Sequence, residues 1–200
     1  ITFPLLAKDI EPQQKKLTNP ISEDLSVLCS NGIQSLLECA KYNSKHHNDM
    51  NQIFSIGPTW STDGEESTKL SIFIQGPRQF EPYLNSEYHT KTYDFYDSKG
   101  LLESIVQLSN LEYHRTSASW FHPGQSANAL VNGDIIGTFG VIHPSIQKEY
   151  KCGISIAVEL NLSKLLQMNR TIEEYKPISK YPSTTRDVTY IIPKSVSVSD

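Results

Sequence analysis

The chain has 200 residues, which is enough for one domain with a well-filled core. Apolar residues make up 38% of the chain and charged residues 20%, a balance typical of a soluble globular protein. The net charge of −4 excludes a global basic field for nucleic acid, and no segment approaches the roughly 18 apolar residues of a membrane span. Because the chain starts at Ile1 and not at a methionine, we expect a piece of a longer protein.

The three cysteines, Cys29, Cys39 and Cys152, have no CxxC spacing, and their number is odd. This pattern argues against a disulfide framework and favours free thiols in a reducing compartment. We therefore expect a cytoplasmic protein.

The first 22 residues contain three prolines and are predicted to form an irregular lead-in, with a short strand at 16–18. Ser30 or Asn31 is predicted to cap the first helix. In that helix, apolar residues recur at the helical spacing and form one stripe: Ile33, Leu36, Leu37 and Ala40.

Two strands are predicted next, at 52–57 and 69–75. Gly57-Pro58 is expected to end the first strand, and Asp63-Gly64 favours a turn in the connection. The aromatic and polar stretch at 79–92 has no clear period and is predicted to be a loop.

A second helix is predicted over 98–109 with Asp97 as its N-cap, followed by a strand at 112–116. The longest predicted element comes next, a β-hairpin from Trp120 to Pro144 that turns at Asn132-Gly133.

Pairing of Val131 with Asp134 at this turn sets His122 opposite His143, unless a bulge at Gly137 or Gly140 shifts the register by one. Pro144 suits the first turn of a short helix, predicted over 145–150.

Strict alternation over 154–161 predicts a strand, and Asn161 is expected to cap a short helix that carries Leu162 and Leu165. A polar linker at 169–176 and an extended proline-rich stretch lead to a predicted final strand at 187–192. We expect this last strand to open a second domain.

The sequence contains no phosphate-binding loop, no HExxH and no GxSxG. His122 and His143 could bind a metal together, with His114 as the nearest third ligand, but structural or interface roles are favoured. Asp94 and Asp97 resemble an acid pair, although a cap explains Asp97 better. The residues alone thus indicate an α+β fold with a largely antiparallel sheet flanked by helices and no visible active site.

Six stretches, in order along the chain, resemble the β subunit of bacterial phenylalanyl-tRNA synthetase. They are NPISEDLSVL at 19–28, the helix that follows it, IFSIG at 53–57, DFYDSKG at 94–100, WFHPGQSA with the rest of the hairpin, and KPISKYPSTTRDVTYIIP at 176–193.

The resemblance implies a class II aminoacyl-tRNA synthetase-like fold over 1–170 that lacks catalytic residues. Residues 171–200 would be a linker and the first strand of a truncated ferredoxin-like anticodon-binding domain. The module would pack against a catalytic α subunit in an α2β2 enzyme that charges tRNA(Phe) with phenylalanine. ATP and magnesium would act on the α subunit, and no cofactor is expected in this part of the chain.

No catalytic, cofactor-binding or metal-binding residue is therefore assigned. We expect structural or subunit-interface roles for one group of residues: His122, Pro123, Gly124, His143, Pro144, Asn19, Pro20, Trp120 and Phe121. A weak basic cluster in the tail could touch tRNA or be a solvated face: Lys176, Lys180, Arg186 and Lys194. An apolar surface meant for the α subunit would make the isolated module self-associate.

Three residues depart from the pattern of the family. Cys29 and Gln125 stand where arginine is expected, and Ser55 stands where glutamate is expected. A buried arginine is lost without penalty only if its carboxylate partner is lost too. The alternative to the family function is a free-standing α+β domain with its own metal or nucleotide site near His122 and His143.

Overall fold

The protein is described by a computed structural model that covers residues 5–6, 16–48, 51–78, 92–108, 110–168 and 180–193. Its centre is a six-stranded sheet in which every neighbouring pair of strands is antiparallel. This agrees with the predicted α+β class.

The elements follow one another along the chain in a simple order. The strands are β1 Leu5–Leu6, β2 Val27–Leu28, β3 Asn51–Trp60, β4 Glu66–Gln75, β5 Glu112–Arg115, β6 Phe121–Val131, β7 Asp134–Ile142 and β8 Ser155–Asn161. The helices are α1 Gly32–Lys45, α2 Phe95–Val106, α3 Pro144–Tyr150 and α4 Leu162–Leu165, with a 3₁₀ helix at Glu23–Leu25. The order of strands across the main sheet is β3-β4-β8-β7-β6-β5, and β1 pairs with β2 in a separate small sheet.

Helices cover both faces of the main sheet. On one face, α1 and α3 pack over residues such as Phe73 and Ala157, and Trp120 and Phe121 belong to the same cluster. On the other face, α2 and α4 pack over Phe139, Val158 and Leu160. Strand β8, at the middle of the sheet, is therefore buried on both faces. Its alternation of apolar and polar residues is typical of a strand with one buried and one exposed face.

The predicted hairpin is confirmed. Asn132 and Gly133 both have positive φ, at 52° and 85°, and Val131 pairs with Asp134. The register then shifts twice, once between Leu130 and Ala129 and again between Ser126 and Phe121. The predicted pairing of His122 with His143 is therefore wrong: the N–H of His143 donates to the carbonyl of Trp120 at 2.9 Å.

Helix α1 forms as predicted, and its cap is Asn31, whose side chain accepts from the N–H of Gln34. Strand β3 does not end at Gly57-Pro58 but continues to Trp60, with Pro58 opposite Thr68. A proline is tolerated there because β3 lies at the edge of the sheet, where a missing N–H breaks no ladder bond.

Helix α2 begins at Phe95, three residues earlier than predicted. Its N-cap is Asp94, which accepts from the N–H groups of Tyr96 and Asp97. Asp97 is instead the third helical residue and returns a bond to the N–H of Asp94 at 2.8 Å. The two carboxylates thus form a capping box, a local structure that explains both without catalysis.

The remaining short elements agree with expectation in part. Helix α3 begins at Pro144 and α4 is capped by Asn161, as predicted. At 16–18, only Lys16 forms a bridge, to Val27. Residues 79–91 of the predicted loop lie outside the described residues, and so does the whole of the predicted linker at 169–176.

The predicted strand at 187–192 is absent. Residues 180–193 are all exposed and form neither helix nor strand. A lone strand leaves its main-chain groups unpaired, and the described part of the chain offers this segment no partner.

No helix among the described residues has the length and apolar character needed to cross a bilayer.

Candidate functional site

The residues singled out at the open end of the hairpin are brought together, but with different exposure. Trp120 and Phe121 are buried in the core, and their rings stack with centroids 4.3 Å apart. His122 and His143 are partly buried, whereas Pro123, Gly124 and Pro144 are exposed. Pro123, Gly124 and Pro144 form the accessible surface at the open end of the hairpin. Trp120 and Phe121, next to them in the chain, are packed in the core.

The imidazole of His122 forms a local hydrogen bond at the open end of the hairpin. Its Nδ1 accepts from the N–H of Gly124 at 3.1 Å, and its carbonyl accepts from the hydroxyl of Ser126 at 2.6 Å. The segment between Phe121 and Ser126 makes no ladder pair with β7, so these local bonds shape it.

The imidazole of His143 has a structural role as well. It is the N-cap of α3, and its Nδ1 accepts from the N–H of Ser145 at 3.2 Å. His114 lies on β5, the far edge strand, where its Nε2 is 3.9 Å from a carboxylate oxygen of Glu112. Within the described ranges, no group of three His, Cys, Asp or Glu residues is placed to hold a metal ion. The alternative of a metal site near His122 and His143 thus gains no support from the fold.

Asn19 and Pro20 lie in an exposed loop that the N–H of Leu17 closes by donating to the carbonyl of Ser26 at 2.8 Å. Ile21, next in the loop, is 95% exposed. This loop therefore presents one apolar side chain to solvent.

Two of the four tail cations can be placed. Lys180 and Arg186 are exposed and lie in the segment without regular structure. Lys176 and Lys194 lie outside the described residues.

The strongest polar feature, a cluster around Glu159, was missed from the sequence. Glu159 is 7% exposed as a residue, and its carboxylate accepts from the N–H of Gly32 at 3.0 Å, the ammonium of Lys69 at 2.9 Å and the hydroxyl of Ser71 at 3.3 Å. Lys69 also donates to the carbonyl of Ser30 at 3.1 Å. The cluster joins β4, β8 and the first turn of α1, where the helix dipole favours a negative charge.

No local signal in the sequence identifies Glu159 as buried. It falls on the polar side of an alternating strand, which for a sheet exposed on one face would point to solvent. Only the position of β8 between β4 and β7, with α1 above, places it inside.

Two cavities lie beside this cluster. One of about 90 Å³ is lined by Cys29, Gly32, Ser55, Lys69 and Ser71, among other residues. The second, of about 320 Å³, is lined by Trp60, Trp120, Lys69 and Glu159 together with hydroxyl side chains. Lys69 therefore lines both cavities.

Cys29 and Ser55, two of the three departures from the family pattern, line the same small cavity. Both are buried. The Cys29 thiol donates to the carbonyl of Asn31 at 2.7 Å. The third departure, Gln125, is exposed on β6 near the open end of the hairpin.

A second feature missed from the sequence is an apolar surface on the edge strand β3. Phe54 is 70% exposed and Ile56 is 55% exposed, and both point to the same face of the sheet. The alternation of β3 is visible in the sequence, but which strand forms the edge is not.

Comparisons with known proteins agree with the resemblance. The family described as phenylalanyl tRNA synthetase beta chain CLM domain matches residues 2–162. A phenylalanine–tRNA ligase beta subunit of Legionella pneumophila is 33% identical over 200 residues, covering 97% of this chain and 25% of the relative. The corresponding subunit of Protochlamydia amoebophila is 34% identical over 188 residues, covering 90% of this chain and 23% of the relative. The chain thus spans about a quarter of the length of the curated relatives it matches.

Among solved structures, two of pyrrolysyl-tRNA synthetase from Desulfitobacterium hafniense are similar. Their TM-scores are 0.52 and 0.54 at 11% identity, and they cover 76% and 74% of this chain and 52% and 51% of the solved chains. At this identity the similarity shows the fold alone, and it agrees with the expected class II synthetase-like architecture.

Proposed function

This chain belongs to the family of phenylalanyl-tRNA synthetase beta chain CLM domains, and from that membership we propose that it is a non-catalytic module packing against a catalytic α subunit. The whole enzyme would be an α2β2 assembly in the cytoplasm that charges tRNA(Phe) with phenylalanine, using ATP and magnesium on the α subunit. The module would comprise residues 1–170. Residues 171–200 would lead into a ferredoxin-like anticodon-binding domain.

The Glu159 cluster carries the non-catalytic part of the proposal. Strands β3, β4, β7 and β8, all within the described part of the chain, carry one cation, Lys69. Its ammonium is held by Glu159 and by the carbonyl of Ser30. A site that clamps ATP phosphates uses arginine or lysine groups aimed at the ligand, whereas this charge is neutralised within the fold.

None of the arginines that the structure describes lies on these strands. Arg78 pairs with Asp97 at the start of α2, Arg115 ends β5, and Arg186 is in the tail. Their positions support a structural module over a nucleotide-binding one.

The shared cavity of Cys29 and Ser55 supports the view that the departures are compensated. If relatives carry arginine and glutamate at these positions, opposite charges would meet in the space that the cavity occupies here. Losing both together leaves no unpaired buried charge, so the fold tolerates the change.

The contact with the α subunit would use the exposed residues at the open end of the hairpin and the loop at Asn19-Pro20. The packing of Trp120 and Phe121 in the core would fix the position of that open end. Lys180 and Arg186 would contribute at most a few phosphate contacts to tRNA.

Co-purification of this chain with the catalytic α subunit, followed by ATP titration of each protein alone, tests the proposal. We expect the chain to retain the α subunit and to give no ATP signal by itself. Saturable ATP binding by the chain alone, or failure to retain the α subunit, would overturn it.

A further inference from the structure

The chain contains two Asn-Gly steps, Asn31-Gly32 and Asn132-Gly133. In such a step the main-chain nitrogen of glycine can attack the side-chain amide carbon of asparagine, because glycine has no Cβ to hinder the approach. Asparagine is for this reason one of the chemically labile residues of proteins. As isolated sequences the two steps are closely similar, but the fold places them in opposite surroundings.

Asn31-Gly32 is buried and hydrogen-bonded at each group that the reaction needs. Asn31 is 2% exposed, its Oδ1 accepts from the N–H of Gln34 at 3.0 Å, and its Nδ2 donates to the hydroxyl of Ser30 at 3.2 Å. The attacking nitrogen, that of Gly32, donates to the Glu159 carboxylate at 3.0 Å. Attack would break all three bonds in a buried site, so it requires the start of α1 to open.

Asn132-Gly133 forms the turn of the hairpin and is exposed. The Oδ1 of Asn132 accepts from the side-chain amide of Asn110 at 3.0 Å, and Asn110 is itself exposed. Among the described residues, no group accepts from the N–H of Gly133. Reaction here disturbs one exposed hydrogen bond at the tip of a turn, where local opening costs the least free energy.

We propose that Asn132 is a site of deamidation in the folded protein and that the fold protects Asn31. The nitrogen of Gly133 gives up its proton to a base in solution and bonds to the Cγ of Asn132, and the amide C–N bond breaks with release of ammonia. Water then opens the cyclic succinimide at either of its carbonyl carbons. One opening gives aspartate, and the other gives isoaspartate, whose main chain runs through the side-chain carbon.

The two products differ in their effect on the hairpin. Aspartate keeps the length of the main chain, and Asp-Gly favours the same type I′ turn as Asn-Gly. Isoaspartate adds a main-chain carbon between Val131 and Asp134, which pair across the turn. Because a two-residue turn has a fixed length and twist, isoaspartate should weaken the hairpin, whereas aspartate should not.

Incubation of the complete 200-residue chain in mildly alkaline buffer, followed by peptide mapping with mass spectrometry, measures both steps in one sample. We expect Asn132 to convert first and Asn31 to convert at least about tenfold more slowly, the factor that an opening free energy of about 1.4 kcal/mol gives. In denaturant the two steps should convert at similar rates. The rate at Asn132 should rise with pH, because the attacking nitrogen must lose its proton.

Asn132→Asp is the matched variant, since it carries the aspartate product and has no amide to lose. Its thermal midpoint should stay close to that of the unmodified chain, whereas the midpoint of aged samples should fall as their isoaspartate content rises. A methyltransferase specific for isoaspartate counts that product. The peptide map separates it from Asp63-Gly64, which can form isoaspartate without losing ammonia.

Three outcomes would overturn the proposal, and none of them depends on the α subunit. The first is equal conversion of both steps in buffer, which would mean that the fold does not select between them. The second is conversion of Asn132 in denaturant but not in buffer, which would mean that the turn protects it. The third is a midpoint that Asn132→Asp lowers as much as ageing does, which would mean that charge and not main-chain length disturbs the hairpin.

Discussion

The ammonium nitrogen of Lys69 lies 2.9 Å from the Oε2 of Glu159, at a point where β4, β8 and the first turn of α1 meet. The two side chains are 23% and 9% exposed. This ion pair is largely buried, and it tests how the sheet and α1 are held together.

Lys69→Met should destabilise the protein by about 1–3 kcal/mol, because the Glu159 carboxylate stays buried without its cation. Adding Glu159→Gln should recover part of the loss, since a neutral amide leaves no buried charge. Urea unfolding followed by circular dichroism measures both. Lys164→Met, which breaks an exposed 4.0 Å contact with Asp134, should change stability by less than about 0.5 kcal/mol. Equal effects of Lys69→Met and Lys164→Met would contradict the buried role of the pair.

Gly140→Ala should destabilise by about 2 kcal/mol or more. Gly140 has φ of 146°, and an added Cβ would collide with the main chain at Gln125 and Ser126. Gly100→Ala is the matched control, because nothing lies within 4 Å of its added Cβ and it sits inside α2. Alanine there should stabilise by roughly 0.5–1 kcal/mol. Thermal unfolding of the two variants should therefore shift in opposite directions.

Asp94→Ala should destabilise by about 1 kcal/mol, because it removes the acceptor for two N–H groups at the start of α2. Asp94→Asn should lose much less, since asparagine caps helices well. Glu38→Ala, at an exposed acid 3.9 Å from Lys41, provides a baseline near zero. Urea midpoints that fall equally for the alanine and asparagine variants would show that charge, not capping, is what Asp94 supplies.

His143→Ala should destabilise by about 1 kcal/mol or less through the loss of the α3 cap, and His143→Asn should restore most of it. A chelator should leave the thermal midpoint of the unmodified chain unchanged. A midpoint that falls on chelation, and that His143→Ala makes insensitive to chelation, would instead establish a metal at this residue.

Cys39 should be the thiol that alkylates fastest in the folded protein, because it is exposed while Cys29 and Cys152 are buried. Burial also raises the pKa of the Cys152 thiol, so less reactive thiolate is present at a given pH. Reaction with iodoacetamide at pH 8, read by mass spectrometry, should add one label quickly in buffer and three in denaturant. Rapid labelling of Cys152 in buffer would show that the loop before β8 opens readily.

The sequence predicted correctly those turns and helix starts that depend on a few neighbouring residues. Asn132-Gly133 selects the hairpin turn because both residues tolerate positive φ, and Asn31, Pro144 and Asn161 mark helix starts through capping and backbone geometry. The start of α2 was misplaced by three residues because Asp94 and Asp97 are both good caps, and only the capping box assigns their positions.

Features that depend on neighbours distant in the chain could not be predicted in the same way. The pairing of His122 with His143 was wrong because two irregularities in the pairing of β6 with β7 set the register. The end of β3 was misplaced because Pro58 breaks a central strand but not an edge strand, and strand order is not a local property.

Turn residues, periodicity and ordered motifs were enough to predict the α+β class, the hairpin, the starts of α1, α3 and α4, and the family. The central position of β8 in the sheet, the burial of Glu159 against Lys69 and the position of the uncharged strand β3 at an edge follow only from the three-dimensional arrangement. The physical reason is that burial and edge exposure arise from which strands become neighbours, and contacts between residues 69 and 159 or 32 and 159 leave no periodic trace in either segment.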